Sequence, residues 1–472
     1  MRMRYDVIFG NPPFQNNLTR NKTQHKLWKE FTIKALDEWL AEGGYLCWIT
    51  PQSWGSPSNK ILKLFKKYAL IHVDLDTRDF FPHIGSSFSQ YKIQKKTEDL
   101  PTTSFIQDNQ EFKFKLSPNI LYIPNDFCRE SINIHEKVMF KPHETFDVGY
   151  DYVTCHNVIR HAEKLNNKKI ITTRACLETE LTKTQKEKAE KKLASLLEKQ
   201  KTINISVSEK RTSQHIHPLL HTNKKTWYSS IRQDFAGKKK VMWSRSGYTK
   251  PFYDDGKLGC TDMGYYIIVS DDLQGQRLAH YLNSPLMQYV FRTAKWSGFG
   301  NEIVFSRIPK ISLDRDFTNE DYYELFSLSE SEKKYLLTPT AKKKTKKVNK
   351  SETKGNERIK HLGEVFTPQE LVCNMMEQVP LTVWESEEKT FLDPACGNGN
   401  FLVEILRTRL AHGVGLIPAL KTLYGVDIMK DNILESRKRL LDICSEHGHA
   451  QESAESIINN NIFVADALNY PL

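Results

Sequence analysis

The chain has 472 residues, 39% hydrophobic and 26% charged, a globular and soluble composition with length for roughly three units of ~150 residues. Sixty-eight Lys and Arg stand against 57 Asp and Glu, a net charge of +11, which suits a polyanionic partner and equally describes a solvated basic surface. No apolar stretch approaches the ~20 residues of a membrane span and no secretory signal opens the chain, so a cytoplasmic location is expected.

The first element is the apolar run Tyr5-Asp6-Val7-Ile8-Phe9-Gly10, which reads as a buried strand. Asn11-Pro12-Pro13-Phe14 ends it abruptly. Each proline fixes its own φ and removes a donor, so the Pro12 carbonyl and the Asn11 side chain become outward acceptors beside the flat face of Phe14. Two acceptors and a π-face suit an exocyclic amino group on a planar ring. A proline loop closing a core strand fits these four residues as well.

Leu27, Trp28, Phe31, Ala35, Leu36 and Trp39 recur at helical spacing and predict a helix over His25 to Leu40, ended by Gly43-Gly44. Tyr45 to Ile49 then reads as a strand, Pro57 to Tyr68 as a helix, and Leu70 to Leu75 and Ser86 to Ile93 as two further strands. Strand and helix in turn predict a doubly wound, mostly parallel sheet. No Gly-rich cofactor loop occurs in this half.

From Thr102 to Leu337 the periodicity weakens. Leu181 to Lys201 is a Lys- and Glu-rich helical stretch with Leu193, Leu196 and Leu197 on one side, a surface helix or arm. Lys238-Lys239-Lys240 precedes Val241-Met242-Trp243-Ser244-Arg245-Ser246-Gly247-Tyr248, where basic and aromatic residues interleave as they do at phosphate and base contacts and on ordinary sheet surfaces. His215, His217 and His221 have no Cys or carboxylate at ligand spacing, so they are expected to be exposed loop histidines and no metal site is assigned. Cys47, Cys128, Cys155, Cys176, Cys260, Cys373, Cys396 and Cys444 show no paired spacing and are expected to be reduced, mostly buried thiols.

Residues 341–356 are crowded with Lys342, Lys343, Lys344, Lys346, Lys347 and Lys350 and mark a solvated linker. Beyond it, Gly363-Glu364-Val365-Phe366-Thr367-Pro368 leads into a helix over Gln369 to Gln378. Phe391 to Phe401 then reads as strand, loop and helix, with Gly397 and Gly399 letting the backbone approach a ligand. Leu423 to Asp427 and Ile462 to Asp466 are strands that each end in an acid, and Asp427 is placed to accept from ribose hydroxyls. A nicotinamide site calls for G-x-G-x-x-G, whereas Leu402 stands at the third glycine position.

Taken together, these residues resemble the S-adenosylmethionine-dependent N6-adenine DNA methyltransferases: Asn11 to Phe14 match the N-P-P-[FYW] motif, Asp393 to Phe401 the cofactor motif and Gly363 to Pro368 the motif before it. The cofactor motifs here follow the catalytic one, and joining Leu472 back to Met1 restores the usual order, so the chain resembles a circular permutation. That order is the one assigned to the family's beta class, while Gly10 to Phe14 and Leu282-Asn283-Ser284-Pro285-Leu286 are worded more like gamma-type enzymes. The resemblance implies a seven-stranded Rossmann-like sheet assembled from both chain ends, with the ends at neighbouring sheet positions. It divides the chain into a catalytic half at 1–100, a central α+β DNA target-recognition region at 101–337, the Lys-rich linker at 338–356 and a cofactor half at 357–472.

It further implies S-adenosyl-L-methionine as cofactor, with Thr367 and Pro368 near the methionine part, the loop carrying Asp393, Ala395, Gly397 and Gly399 along it, Asp427 on the ribose and Asp466 on the adenine amino group. Asn11, Pro12, Pro13 and Phe14 would act on a flipped adenine of double-stranded DNA, and Phe88 is a second candidate contact or a core residue. RNA or protein-glutamine methylation and a non-catalytic cofactor-binding subunit are the alternative readings. No cluster of nuclease carboxylates is evident, so a restriction partner would be a separate endonuclease.

Overall fold

A computed structural model describes residues 3–14, 27–57, 59–81, 87–151, 154, 158–177, 183–203, 207–222, 225–245, 250–295, 302–338, 365–447 and 451–472. The Lys-rich linker, Ser86 and Gly363-Glu364 lie outside them. The chain forms two compact units: Met1–Tyr122 with Phe127–Arg129 and Thr340–Leu472, and Ile123–Asp126 with Glu130–Pro339.

The first unit is built on one nine-stranded sheet. Numbered along the chain within this sheet, its strands are β1 (Tyr5–Gly10), β2 (Leu40–Pro51), β3 (Ala69–Asp74), β4 (Phe88–Gln94), β5 (Thr103–Gln107), β6 (Gln110–Phe114), β7 (Phe391–Asp393), β8 (Leu423–Asp427) and β9 (Ile462–Val464). Their spatial order is β9-β8-β7-β1-β2-β4-β3-β5-β6. Val7, Ile8 and Phe9 are fully buried, as expected of a strand covered on both faces. β1 pairs in parallel with β7, Val7 opposite Phe391 and Ile8 opposite Leu392, and on its other side with β2, Phe9 opposite Cys47.

Several expectations are corrected here. The sheet has nine strands, because Thr103–Gln107 and Gln110–Phe114 extend it beyond residue 100. β4 runs antiparallel to both β2 and β3. The described part of the β3–β4 connection holds a short 3-10 turn, Asp76–Phe80, in place of the crossover helix that a parallel neighbour needs. The two ends of the chain are not neighbours in the sheet: β9 is an edge strand, separated from β1 by β8 and β7. From β7 the chain steps outward to β8 and β9, and from β1 it steps the other way, so the strand order reverses between β7 and β1.

Helix α1 (Leu27–Lys34) runs into a π-helical turn, Ala35–Trp39, and β2 begins at Leu40, so Gly43-Gly44 falls inside the strand instead of before it. Between Tyr5 and Val7 the β1–β2 register shifts from Leu40 to Tyr45, and Gly43, at φ +78°, lies in that bulge. Helix α2 spans Lys60–Phe65 and is capped by Asn59, whose side chain accepts from Ile61 N–H, so Asn59 and not Pro57 opens it.

Aromatic packing joins the two chain halves. Phe9 stacks on Phe401 at 5.7 Å and on Trp384 at 6.1 Å, and Trp384 on Phe391 at 5.2 Å. Helices α3 (Gln369–Met376), α4 (Asn400–Ala411), α5 (Lys430–Glu446) and α6 (Gln451–Asn461) accompany β7 to β9.

The second unit holds two four-stranded sheets. Lys240 is fully buried in one of them, with Nζ 2.7 Å from Asp254 Oδ2, and Trp243 is 3% exposed. These two residues of the basic-aromatic run are therefore core, not ligand contacts. His221 is buried as well, its Nδ1 3.0 Å from Thr261 Oγ1, and His217 begins a strand, so the exposed-loop expectation fails for both. Cys47, Cys260, Cys396 and Cys444 are buried thiols, whereas Cys176 is exposed. No helix among the described residues is long and apolar enough to cross a membrane.

A polar clasp closes the junction between β1 and β7. Asp6 Oδ2 accepts from Thr390 N–H at 3.0 Å and Thr390 Oγ1 at 2.9 Å, and Oδ1 lies 2.7 Å from Lys389 Nζ. Burial pushes the Asp6 carboxyl up, but the hydrogen bonds from Lys389 and Thr390 and the Lys389 charge outweigh it and hold the group below the usual value. Replacing the carboxylate in Asp6→Asn is expected to cost about 1–2 kcal/mol at neutral pH. A depressed folded value gives stability that is present above the unfolded value of 3.8 and lost as pH falls through the folded one, so in acid denaturation the gap between variant and wild type should close.

Candidate functional site

Gly10 ends β1 against Trp48: a Cβ there would lie 2.7 Å from Trp48 Cζ3. The chain turns at once. Asn11 Nδ2 donates to the Val365 carbonyl at 3.3 Å, which orients the amide and leaves Oδ1 as its acceptor end. Pro12 is buried and Pro13 half-buried. Phe14, half-buried, stacks on Phe88 with ring centroids 5.1 Å apart and planes at 25°. Phe88 is 1% exposed and also packs on Phe81 at 5.5 Å. It therefore backs Phe14, and its expected role as a direct contact gives way to core packing.

One strand over, β7 ends in Asp393, whose Oδ1 accepts from Ala395 N–H at 3.1 Å. The loop that follows is pinned at several points. Cys396 N–H donates to Val426 O at 2.9 Å and Gly397 N–H to Asp427 Oδ2 at 2.9 Å. Gly397 has φ +53°, and a Cβ on it would stand 3.0 Å from the Phe366 ring. Gly399 has φ +87° and caps α4, where a Cβ would lie 2.4 Å from Ser436 Oγ. Asn400 Nδ2 donates to Thr367 O at 2.8 Å, and Arg439 Nη1 donates to Asn398 O at 2.8 Å and to Asn400 Oδ1 at 2.7 Å. The N-terminus of α4 thus sits behind a rigid loop of Gly and small polar residues.

The other two acids hold their own loops. Asp427 Oδ1 accepts from Met429 N–H at 2.8 Å, while Asp466 accepts from Leu468 N–H at 3.0 Å and from Asn469 Nδ2 at 2.6 Å. These carboxylates keep lone pairs for a ligand hydroxyl or amine, since each offers about four acceptor sites.

Asn11, Pro13, Thr367, Asp393, Ala395, Gly397, Asp427 and Asp466 line one cleft of ≈ 180 Å³ in the first unit. Pro12, Phe14, Phe88, Pro368 and Gly399 are not part of that lining; Pro368 caps α3 and Gly399 supports the loop from behind. The structure adds Leu27 and Phe31 from α1, Phe366, Asn398, Ile428 and Leu468. Ile428 had a sequence signal, a large apolar residue directly after a strand-ending acid, and it is 56% exposed. Leu27 and Phe31 had none, because only the tertiary fold brings their helix to the cleft. Asn398 Oδ1 is buried without a hydrogen-bond partner.

The first 81 residues match the family model described as Eco57I restriction-modification methylase, and residues 352–434 match N-6 DNA Methylase. The Type II methyltransferase M.VspI of Vibrio sp. (strain 343) is 34% identical over 82 residues, 17% of this chain and 17% of that protein. Solved structures with similarity include a DrdV–DNA complex, 10% identical, TM-score 0.32, covering 65% of this chain and 43% of that one. Another is the ATP-dependent Type ISP restriction-modification enzyme LlaBIII bound to DNA, 10% identical, TM-score 0.29, covering 55% of this chain and 24% of that one. The chain thus spans a minor part of each of these relatives. Residues 1–81 and 352–434 belong to the N6-adenine DNA methyltransferase family.

Asp393 is the most perturbed acid of the site. Burial pushes its carboxyl up to about 8; the Asp427 charge adds to this, and the Ala395 hydrogen bond opposes it. A raised folded value means stability is fully present below 3.8 and is lost as pH rises through about 8. Asp393→Asn, which keeps the acceptor and cannot ionise, should therefore gain on wild type as pH rises, by on the order of 1–3 kcal/mol by about pH 8. Thermal unfolding across that range should show the two curves diverging; parallel curves would show that Asp393 ionises as freely in the fold as outside it.

Proposed function

We propose that the chain is an S-adenosylmethionine-dependent adenine N6-methyltransferase acting on double-stranded DNA in a restriction-modification system. One observation carries this reading: Asn11 and the loop after Asp393, from opposite ends of the chain, open into a single cleft at the point where strand order reverses, the usual ligand crevice of open α/β sheets. In this reading β9-β8-β7-β1-β2-β4-β3 is the seven-stranded Rossmann-like core of a circularly permuted methyltransferase, and β5 and β6 extend it. The central region is assigned to target recognition, and a cognate endonuclease would be a separate chain.

The cleft fits the cofactor. The loop is rigid and glycine-bearing, Asn398 Oδ1 lacks a partner, two acids sit at strand ends, and Phe366, Ile428 and Leu468 offer apolar faces. Thr367, the loop from Asp393 to Gly399, Asp427 and Asp466 would hold it, with Pro368 setting the turn into α3. When bound it supplies an electrophilic methyl group.

The chain's own residues then work by position and fixed dipoles. A target adenine leaves the stack at a cost of a few kcal/mol. Phe14, braced from behind by Phe88, offers a face for the base. Asn11 Oδ1 and the Pro12 carbonyl accept the two N6 hydrogens, which draws the nitrogen lone pair out of ring conjugation. The Val365 carbonyl keeps the Asn11 amide from turning its donor end to the substrate. RNA and protein glutamine present similar planar amines, and the basic balance of the chain favours nucleic acid.

Labelled methyl transfer to unmodified plasmid DNA, with digestion to nucleosides, should yield N6-methyladenine. Asn11→Ala should lower kcat by about 10²–10³, the scale of losing one preorganised partner, with cofactor affinity retained. Phe14→Ala should lose ~1–3 kcal/mol of extruded-base binding and spare the cofactor. Cofactor binding without transfer to duplex DNA would move the assignment to RNA or protein, or to a non-catalytic subunit.

A further inference from the structure

The second unit carries a charged feature that the methyl-transfer site does not use. Val158–Leu177 and Lys183–Ile203, helices of 20 and 21 residues, form a hairpin. The first buries Asn166, Ile170 and Thr173, and the second half-buries Ala189, Leu193 and Leu196, a narrow seam at i, i+4 and i+7. Asn166 Nδ2 donates to Leu196 O at 3.1 Å across it. A polar bond within so thin a seam fixes how the helices align but contributes little to holding them.

The charge is concentrated here. The two helices hold twelve Lys and Arg against four Glu, a net of +8 in a chain whose total is +11. Lys169, Arg174, Lys186, Lys188, Lys191 and Lys192 are all exposed. Burying more of this hairpin in a protein core would cost several kcal/mol per unpaired charge, so the exposed basic faces suit a polyanion instead. The dimensions also agree. Twenty helical residues span about 30 Å, close to the ~34 Å of one duplex turn, over which DNA presents one phosphate per ~1.7 Å of axis.

We propose that this hairpin is an arm that grips the phosphate backbone of duplex DNA by sequence-independent ion pairing. It positions the duplex and carries no sequence information, the division of labour found between backbone and base contacts. The inference rests on the DNA reading above and adds to it the surface that supplies the electrostatic part of affinity. Ile171, 67% exposed, is the one large apolar residue on the outer face of the first helix and is too isolated to seat a protein partner.

The test is binding of the full chain to an unmodified linear duplex of about three helical turns, followed by fluorescence anisotropy from low to moderate salt. Changing Lys169, Arg174, Lys186, Lys188, Lys191 and Lys192 to Gln keeps good helix formers in place. Loss of three phosphate contacts should flatten the slope of log K against log salt by about 2.7, at ~0.9 per contact. The KM for duplex should rise at least tenfold, with a much smaller change in kcat. Glu187→Gln with Glu190→Gln, which leaves the basic residues intact, should tighten binding and steepen the slope, so the arm stays testable even where the six-site variant folds poorly. Wild type that methylates duplex while both variants keep its salt slope would overturn the arm and leave the methyltransferase reading standing. Wild type that neither binds nor methylates duplex would overturn both.

Discussion

The site depends on the parallel pairing of β1 with β7, strands contributed by opposite ends of the chain. Val7 against Phe391 and Ile8 against Leu392 set a register that a one-residue slip would destroy, because it would turn Phe9 away from Phe401 and Trp384. The Asp6 clasp on Lys389 and Thr390, groups 383 and 384 positions away, fixes that register with directional bonds at the strand entry. Loop-closure entropy grows only logarithmically with length, so the long excursion between the halves costs little more than a short one. Once β1 and β7 are aligned, Asn11 and the loop after Asp393 emerge side by side without further adjustment.

The cleft is notable for how few of its polar groups are left to chance. Asp427 and Asp466 spend part of their acceptor capacity on backbone amides of their own loops, which makes them fixed features before any ligand arrives. Asp393 is so deeply buried that its carboxyl favours the neutral form, so it shapes the turn without placing a charge under the cleft at neutral pH. The Asn11 amide is oriented by a carbonyl from the segment before α3, so the acceptor assigned to catalysis is held by the same segment that lines the cofactor side. Such preorganisation is what catalysis by position requires.

Sequence and structure agree closely where elements are short and bounded by Gly or Pro, as at Tyr5–Gly10 and Phe391–Asp393. They part where an outcome depends on a distant partner. Gly43-Gly44 reads as a helix stop, yet the π-helical turn at Ala35–Trp39 has already ended the helix and the glycines absorb a bulge against β1. Lys240 and Trp243 read as ligand-facing, yet Asp254 neutralises the lysine within a sheet. Phe88 reads as a possible base contact, yet Phe14 and Phe81 cover it. In each case local spacing carries the element type, while the facing residue, hundreds of ångström-scale choices of packing away in sequence terms, decides exposure.

The amino-acid sequence by itself determined the chemistry available: an Asn-Pro-Pro-Phe tip after a buried strand, a glycine-bearing loop after Asp393, acids at the ends of two more strands, and the order in which these occur. Such features are local, set by backbone restrictions at Pro and Gly and by runs of apolar residues. Only the tertiary structure decided that these pieces share one cleft, that the sheet runs to nine strands with β4 reversed, that β9 lies at the edge away from β1, and that Leu27, Phe31 and Asn398 complete the lining. Strand neighbours and side-chain exposure are set by contacts between residues far apart in the chain, and spacing along one strand or helix holds no record of them.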